Sequence, residues 1–324
     1  MPTSSSGARG APDPGAPQSA TRYARNGAVE IAFEDLGGAD GDPLLLIMGL
    51  GVSRFWWPQG FIDELVRRGF HVVAFDQRDA GESTHFPDAG SANPMLAVAR
   101  RASPAYSAED MTDDAVAVLD ALGWDRAHLF GHSMGGQLAQ RTALRHRDRV
   151  TSMTSSASLP SDVSGLRAAR YIHLGLVARL ARLKVPEGRD GDMELGLAAA
   201  RAIASPGYPF DEAEVRSRIE RDLEHGISSG ARDAAAQSRQ AGAKWHGGKL
   251  SALAIPALVV HGADDQLLRP AAATRTAAQI AGARLLLLPG VGHDLPAAVW
   301  PQVAAEIRAL ADRAAEQASP TGTS

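Results

Sequence analysis

The chain of 324 residues contains no cysteine, which removes disulfide frameworks, thiolate metal sites and cysteine nucleophiles from consideration. It lacks an excess of either charge: 33 Lys and Arg against 37 Asp and Glu give a formal net charge of −4. Proteins that grip nucleic acid present a basic face, so no nucleic-acid partner is expected. Long apolar runs are missing too. The longest, Leu44 to Leu50, falls far short of the ~20 residues a membrane span requires, so no stable membrane insertion is expected. The stretch from Met1 to Thr21 is mostly Ser, Gly, Ala and Pro and holds no apolar block of the kind an export signal needs. Residues 1–22 and 314–324 are expected to be disordered tails, and the cytoplasm is the expected location. The remaining composition, 44% hydrophobic and 22% charged, is ordinary for a globular protein. Its length suits one large domain, or one domain carrying an insertion.

Between the tails, short apolar strands alternate with helical periods. Val29 to Phe33 alternates like a half-buried strand, whereas Leu44 to Met48 and Val72 to Phe75 are unbroken, as strands buried on both faces are. A helix over Phe61 to Arg68 stops at Gly69, and one over Ala108 to Leu122 stops at Gly123, where helix-ending glycines belong. Strands Ala127 to Phe130 and Val150 to Met153 flank a helix from Met134 to His146. The rhythm resumes with strand Ala257 to His261, helix Ala271 to Ile280, strand Arg284 to Leu288 and a last helix from Pro296 to Ala311. This alternation predicts an α/β fold: a mostly parallel central sheet with helices on both faces.

The interval from 157 to 249 breaks the rhythm with helical periods and no convincing strand. In one period Leu166, Ile172, Leu176, Leu180 and Leu183 share a face. In another, Asp211 opens a helix with Glu214 three residues on, as in a capping box. We expect a helical cap over the carboxyl edge of the sheet, where ligands of such sheets bind. The core is then divided into residues 23–156 and 250–313.

One motif carries chemistry. Gly131-His132-Ser133-Met134-Gly135 is a G-x-S-x-G set between a predicted strand and a predicted helix, the context that gives this pattern meaning. Such a turn needs glycines because neighbouring backbone passes where a Cβ would sit. It presents a serine hydroxyl at a helix N-terminus, where free N–H groups favour developing negative charge. The spacing of His128 and His132 does not make a metal pair, because the two run from strand into turn rather than along a helix face. No cofactor and no metal are expected.

With these residues the chain resembles the serine-dependent α/β-hydrolases, whose order is Ser, Asp, His. The resemblance implies Ser133 as nucleophile, Asp265 at the end of Ala257-Leu-Val-Val-His-Gly-Ala-Asp-Asp as the acid, with Asp264 as its rival, and His293 in Gly290-Val-Gly-His as the base. It implies an oxyanion hole from the backbone N–H groups of Met134 and Leu50, although Met48 stands where the family commonly has histidine. Leu46-Ile-Met-Gly-Leu-Gly51, Phe75-Asp-Gln-Arg-Asp-Ala-Gly-Glu-Ser-Thr84 and Tyr208-Pro-Phe-Asp-Glu-Ala-Glu214 are similar to the aclacinomycin methylesterase group, which acts on the methyl ester of an aromatic polyketide. The expected partner is therefore a small-molecule ester. Trp56, Trp57 and His132 are candidate pocket residues, while Asp76 and Arg78 read as loop-stabilising charges. Acyl transfer to an alcohol, or to peroxide as in cofactor-free haloperoxidases, remains open on the same triad. So does a non-catalytic binding protein, although that reading predicts a damaged triad.

Overall fold

The computed structural model describes residues 20–86, 105–164, 166–183, 185–228 and 233–318. Most of the expected N-terminal tail and the last six residues lie outside them. Among the described residues, eight strands form one sheet: β1 (Arg22–Asn26), β2 (Val29–Asp35), β3 (Asp42–Ile47), β4 (Phe70–Phe75), β5 (Ala127–His132), β6 (Val150–Ser156), β7 (Ala257–Gly262) and β8 (Arg284–Leu288). Their spatial order is β1-β2-β4-β3-β5-β6-β7-β8. The pairs β1/β2 and β2/β4 are antiparallel, and every later pair is parallel. The chain steps from β3 outward to β4 and then returns to place β5 on the other side of β3. The strand order thus reverses at β3/β5, the position along the carboxyl edge where sheets of this kind bind ligands.

The strand residues sort by parity, as the pleat requires. Leu45, Ile47, Val73, Phe75 and Leu129 face one core, shared with Val118 and Leu119 of α2 (Ala108–Leu122) and Leu138 and Ala139 of α3 (Met134–Arg145). Leu44, Leu46, Val72, Ala74 and Phe130 face the other, with Phe61, Ile62 and Leu65 of α1 (Gln59–Arg67). Burying each such side chain contributes about 1.5–3 kcal/mol, so a sheet covered on both faces explains the unbroken apolar runs. Helix α2 begins with a full capping box between Ser107 and Asp110 and ends at Gly123 in the left-handed region, φ 71°.

Among the described residues, five α-helices lie between β6 and β7: α4 (Leu166–Ala169), α5 (Leu174–Leu180), α6 (Arg189–Ile203), α7 (Glu212–Glu224) and α8 (Ala234–Gly242). Asp211 caps α7 by accepting from the Glu214 N–H at 3.0 Å. Helix α9 (Ala271–Gln279) follows β7, and α10 (Trp300–Ala318) follows β8, the latter placing Val303, Ile307 and Leu310 in the second core.

Four expectations are corrected. The tail boundary at residue 22 moves, because Arg22 opens β1, a strand in a stretch with no apolar pattern whose one buried residue is Ala24 and whose place comes from antiparallel pairing with β2. Strand β2 is not half-buried, since Ile31 through Glu34 are all enclosed. The shared apolar face from Leu166 to Leu183 does not form, because the segment breaks into α4 and α5; Leu176 is buried while Leu183 is exposed. The tail boundary at residue 314 moves, because α10 continues to Ala318 and buries Ala314.

Candidate active site

Ser133 sits between β5 and α3 with φ 56° and ψ −123°, a conformation that costs of order 1–3 kcal/mol for a residue with a Cβ. The surroundings enforce it. Its N–H donates to the Ser156 carbonyl at 2.8 Å. A Cβ on Gly131 would lie 2.1 Å from the Gly135 carbonyl oxygen, and one on Gly135 would lie 2.0 Å from that of Ile47. Both glycines are thus required by close backbone approach, and the turn is as tight as the motif predicts.

His293 and Asp265 meet this serine from loops 28 residues apart in sequence. His293 Nε2 is 2.9 Å from Ser133 Oγ, and its Nδ1 is 2.8 Å from Asp265 Oδ2. The other Asp265 oxygen accepts from the Leu267 and Leu268 N–H groups at 2.7 and 2.8 Å. Burial alone would raise the Asp265 carboxyl, but the hydrogen bond and charge of His293, the Leu268 N–H and His261 outweigh it, and the group is held below the usual aspartate range. With Nδ1–H donating to a carboxylate, Nε2 is left as an acceptor for the serine proton. Asp264 does different work: its Oδ2 accepts from the Gly290 N–H at 2.8 Å and closes the neighbouring loop.

The loop after β3 lies against the serine, because a Cβ on Gly49 would be 3.2 Å from Ser133 Cβ. The Met134 N–H opens α3 and has no intrahelical carbonyl to bond. Of the candidate pocket residues, His132 ends β5 with its ring centroid 5.4 Å from that of His293. Burial, and then the charge of His293, lower its pKa to about 3, so it is neutral beside the triad at working pH. Trp57 is corrected: its ring is 2% exposed and packs on Phe61 and Phe130 in the core. Trp56 is half-buried and donates from Nε1 to Asp222 of α7 at 2.7 Å.

Asp76 and Arg78 behave as the loop charges expected of them. Asp76 is fully enclosed and accepts from the Arg54 side chain and from the Arg54 and Glu82 N–H groups. Arg78 forks onto Asp114 with two bonds of 2.6 Å.

Several further neighbours of the site had no signal in the sequence. Ser205, just past α6, accepts from the Gly292 N–H at 2.8 Å and donates to Asp294, flanking His293 on both sides. The His293 N–H itself donates to the Ile203 carbonyl at 3.0 Å. His261 Nε2 stands 3.4 Å from Asp265 Oδ2 and 3.1 Å from the Leu268 carbonyl. Two surface grooves of about 600 Å³ line up elsewhere, one around Trp245 and His246 and the other around Leu174 and Arg179. Neither includes Ser133, Asp265 or His293; the bonding geometry is what marks the site. Among the described residues no group of three His, Asp or Glu side chains converges to hold a metal ion, and no helix is long and apolar enough to cross a membrane.

A family model described as alpha/beta hydrolase fold matches residues 42–296. Rhodomycin D methylesterase DnrP of Streptomyces peucetius is 30% identical over 308 residues, covering 89% of this chain and 96% of that protein. Rhodomycin D methylesterase DauP of Streptomyces sp. strain C5 is 29% identical over 306 residues with the same coverage. Among solved structures, the meta-cleavage product hydrolase CumD of Pseudomonas fluorescens IP01 superposes with a TM-score of 0.64 at 21% identity, covering 92% of this chain and 98% of that one; at that identity the likeness concerns the fold.

Proposed function

The chain belongs to the alpha/beta hydrolase fold family, and on that premise we propose that it is a serine-dependent carboxylic ester hydrolase working through an acyl-enzyme. The observation that carries the reading is the continuous bonding from Ser133 Oγ through His293 to a buried Asp265, at 2.9 and 2.8 Å. In the first half-reaction Ser133 Oγ attacks the ester carbonyl while His293 Nε2 takes the hydroxyl proton. Asp265 keeps the imidazole in the tautomer with Nδ1 protonated and stabilises the imidazolium. The oxygen that becomes negative is held by the N–H groups of Met134 and Leu50, in a setting where one such donor contributes about 3 kcal/mol. Collapse of the tetrahedral intermediate breaks the bond to the alcohol, which leaves with the proton from His293. Water, deprotonated by the same nitrogen, then attacks the acyl-serine and regenerates the hydroxyl, with a carboxylic acid as product.

For substrate we propose a methyl ester of a polyketide-like or other small hydrophobic acid, so that methanol is the first product. Support comes from two relatives of nearly full length named as rhodomycin D methylesterases.

The test is incubation with a fluorophosphonate followed by peptide mass mapping, alongside turnover of a p-nitrophenyl ester and of an aromatic methyl ester. We expect one label per chain on Ser133, hydrolysis of both esters, and loss of both in Ser133→Ala. An unlabelled Ser133 without turnover refutes the reading in favour of a binding protein. Ester product in place of acid when an alcohol is added points to transfer instead.

A further inference from the structure

The oxyanion loop is gripped from two sides by glutamines. Below it, Gln77 in the loop after β4 is 2% exposed and donates from Nε2 to the Met48 carbonyl at 2.6 Å, with the Gly49 carbonyl at 3.5 Å. Above it, Gln240 of α8 is likewise 2% exposed and accepts from the Gly51 N–H at 3.0 Å through Oε1. The Nε2 of Gln240 donates to the Arg78 carbonyl at 2.7 Å. Neither amide can turn over: a flip would set C=O against C=O in both cases, and N–H against N–H at Gly51. Leu50, whose N–H the ester-hydrolase reading assigns to the oxyanion, thus lies between two pinned peptide groups.

Two features tie this grip to the helical insertion. Gly51 has φ 67°, and a Cβ there would strike the Gln237 side chain of α8 at 2.8 Å, so loop and helix are in direct contact. Next to Gln240, Arg239 forks onto Asp79 at 2.8 and 2.9 Å, and Asp79 also accepts from the Tyr106 hydroxyl at 2.7 Å. Residues 77, 78 and 79 are consecutive, so one loop carries both the oxyanion turn and the seat of α8.

We propose that Gln240 is a positioning residue for the oxyanion hole: seating α8 on the loop after β4 sets the Gly51 N–H and thereby aims the Leu50 N–H at the reacting carbonyl. This rests on the ester-hydrolase reading above, and the assembled hole then depends on a residue of the insertion that lies 189 positions away in sequence. A misaimed donor loses part of what a deleted donor loses, and deletion is known to lower kcat about 100- to 1,000-fold.

The experiment compares wild type with Gln240→Met, which keeps length and volume but offers no acceptor of comparable strength, and Gln240→Glu, which keeps an acceptor for the Gly51 N–H. Each is assayed for kcat and KM on a p-nitrophenyl ester, and for inhibition by a trifluoromethyl ketone whose adduct carries an oxyanion. For Gln240→Met we expect kcat to fall about 10- to 100-fold, ketone affinity to fall in parallel, and KM to stay within about threefold. Compared with wild type at the same pH, Gln240→Glu should recover most of the loss at the acidic end of the active range, where its buried carboxyl is protonated and can both accept from the Gly51 N–H and donate to the Arg78 carbonyl, and less where it ionises against that carbonyl. A well-folded Gln240→Met with kcat within twofold of wild type overturns the proposal, as do equal losses in both variants at every pH. In the wild-type chain, hydrogen exchange gives a check that needs no variant: the Gly51 amide should be protected together with α8. Fast exchange at Gly51 with α8 protected also overturns the proposal. Failure of the underlying reading is told apart because wild type itself would then remain unlabelled by fluorophosphonate.

Discussion

Replacing Asp222 by Asn should make the protein more stable at pH 8. Asp222, on α7, is 5% exposed, and its carboxylate meets the Ser53 hydroxyl and the Trp56 Nε1–H, tying the insertion to the loop after β3. Burial raises its pKa from 3.8 to about 6, with Asp76 adding to the rise and Arg221 and the two hydrogen bonds opposing it. A shift of roughly two units corresponds to about 3 kcal/mol. Because the folded value lies above the unfolded one, the favourable contribution is complete below pH ~4 and is lost as the pH rises through about 6. At pH 8 the folded chain therefore carries the full cost of a buried carboxylate. Asparagine removes it, since its carbonyl still accepts from Trp56 and its amide can donate to the Ser53 oxygen. The gain should appear as a melting temperature higher by about 5 °C at pH 8, shrinking towards zero at pH 4. Thermal unfolding of both proteins, followed by circular dichroism across that range, measures it. A variant less stable than wild type at pH 8, or a difference that does not change with pH, refutes the reasoning.

Asp265→Asn should lower kcat by about 1,000-fold or more, because the amide cannot hold the imidazole with Nδ1 protonated, while Asp264→Asn, altering a bond to the Gly290 N–H, should stay within about threefold; steady-state kinetics of the pair decide between the two carboxylates. Gly135→Ala would put its methyl 2.0 Å from the Ile47 carbonyl oxygen and 2.5 Å from that of Met48, both backbone atoms that yield little, so denaturant titration should show a loss of at least about 2 kcal/mol. His128 is buried in β5 with Nδ1 2.7 Å from Ser152 Oγ, and burial lowers its pKa to about 4. The unfolded chain takes up this proton near pH 6.5 and the folded one does not, so stability should fall as the pH drops from about 6.5 to 4. Nuclear magnetic resonance titration should find the ring neutral above pH 5.

The parts of the site legible in the sequence are those whose chemistry and geometry are local. A serine between glycines two positions away on either side, after a strand and before a helix, can be read from a few residues, and so can an aspartate in the loop leaving the buried β7 or a histidine in a glycine-flanked loop after the largely exposed β8. The strands buried on both faces were legible because apolar runs need no partner to be recognised. Strand β1 was not, because Arg22–Asn26 buries only Ala24 and exists through its ladder with β2. Trp57 was misread for a similar reason: an aromatic near the site in sequence can turn equally to the pocket or to the core, and Phe61 and Phe130 decide for the core. Gln240 and Ser205 were beyond reach. Their partners lie 189 and 87 residues away, and neither side chain belongs to a local pattern.

The strained turn at Ser133 and the proposed oxyanion hole belong to one packing solution. The same approach that forbids a Cβ on Gly135 brings the first turn of α3 against the carbonyls of Ile47 and Met48, where β3 becomes the oxyanion loop. The Met134 N–H and the loop bearing Leu50 are therefore referenced to each other through backbone contact and not through side chains that can change rotamer. Gln77 bonds to that same Met48 carbonyl from beneath, so three chain segments converge on one peptide group. Preorganised donors stabilise a developing charge only when they need not move as it forms. A backbone conformation costing a few kcal/mol persists only where its surroundings over-determine it. Here one set of contacts meets both conditions, so on the proposed mechanism relaxing the turn would misalign both proposed donors as well as Ser133.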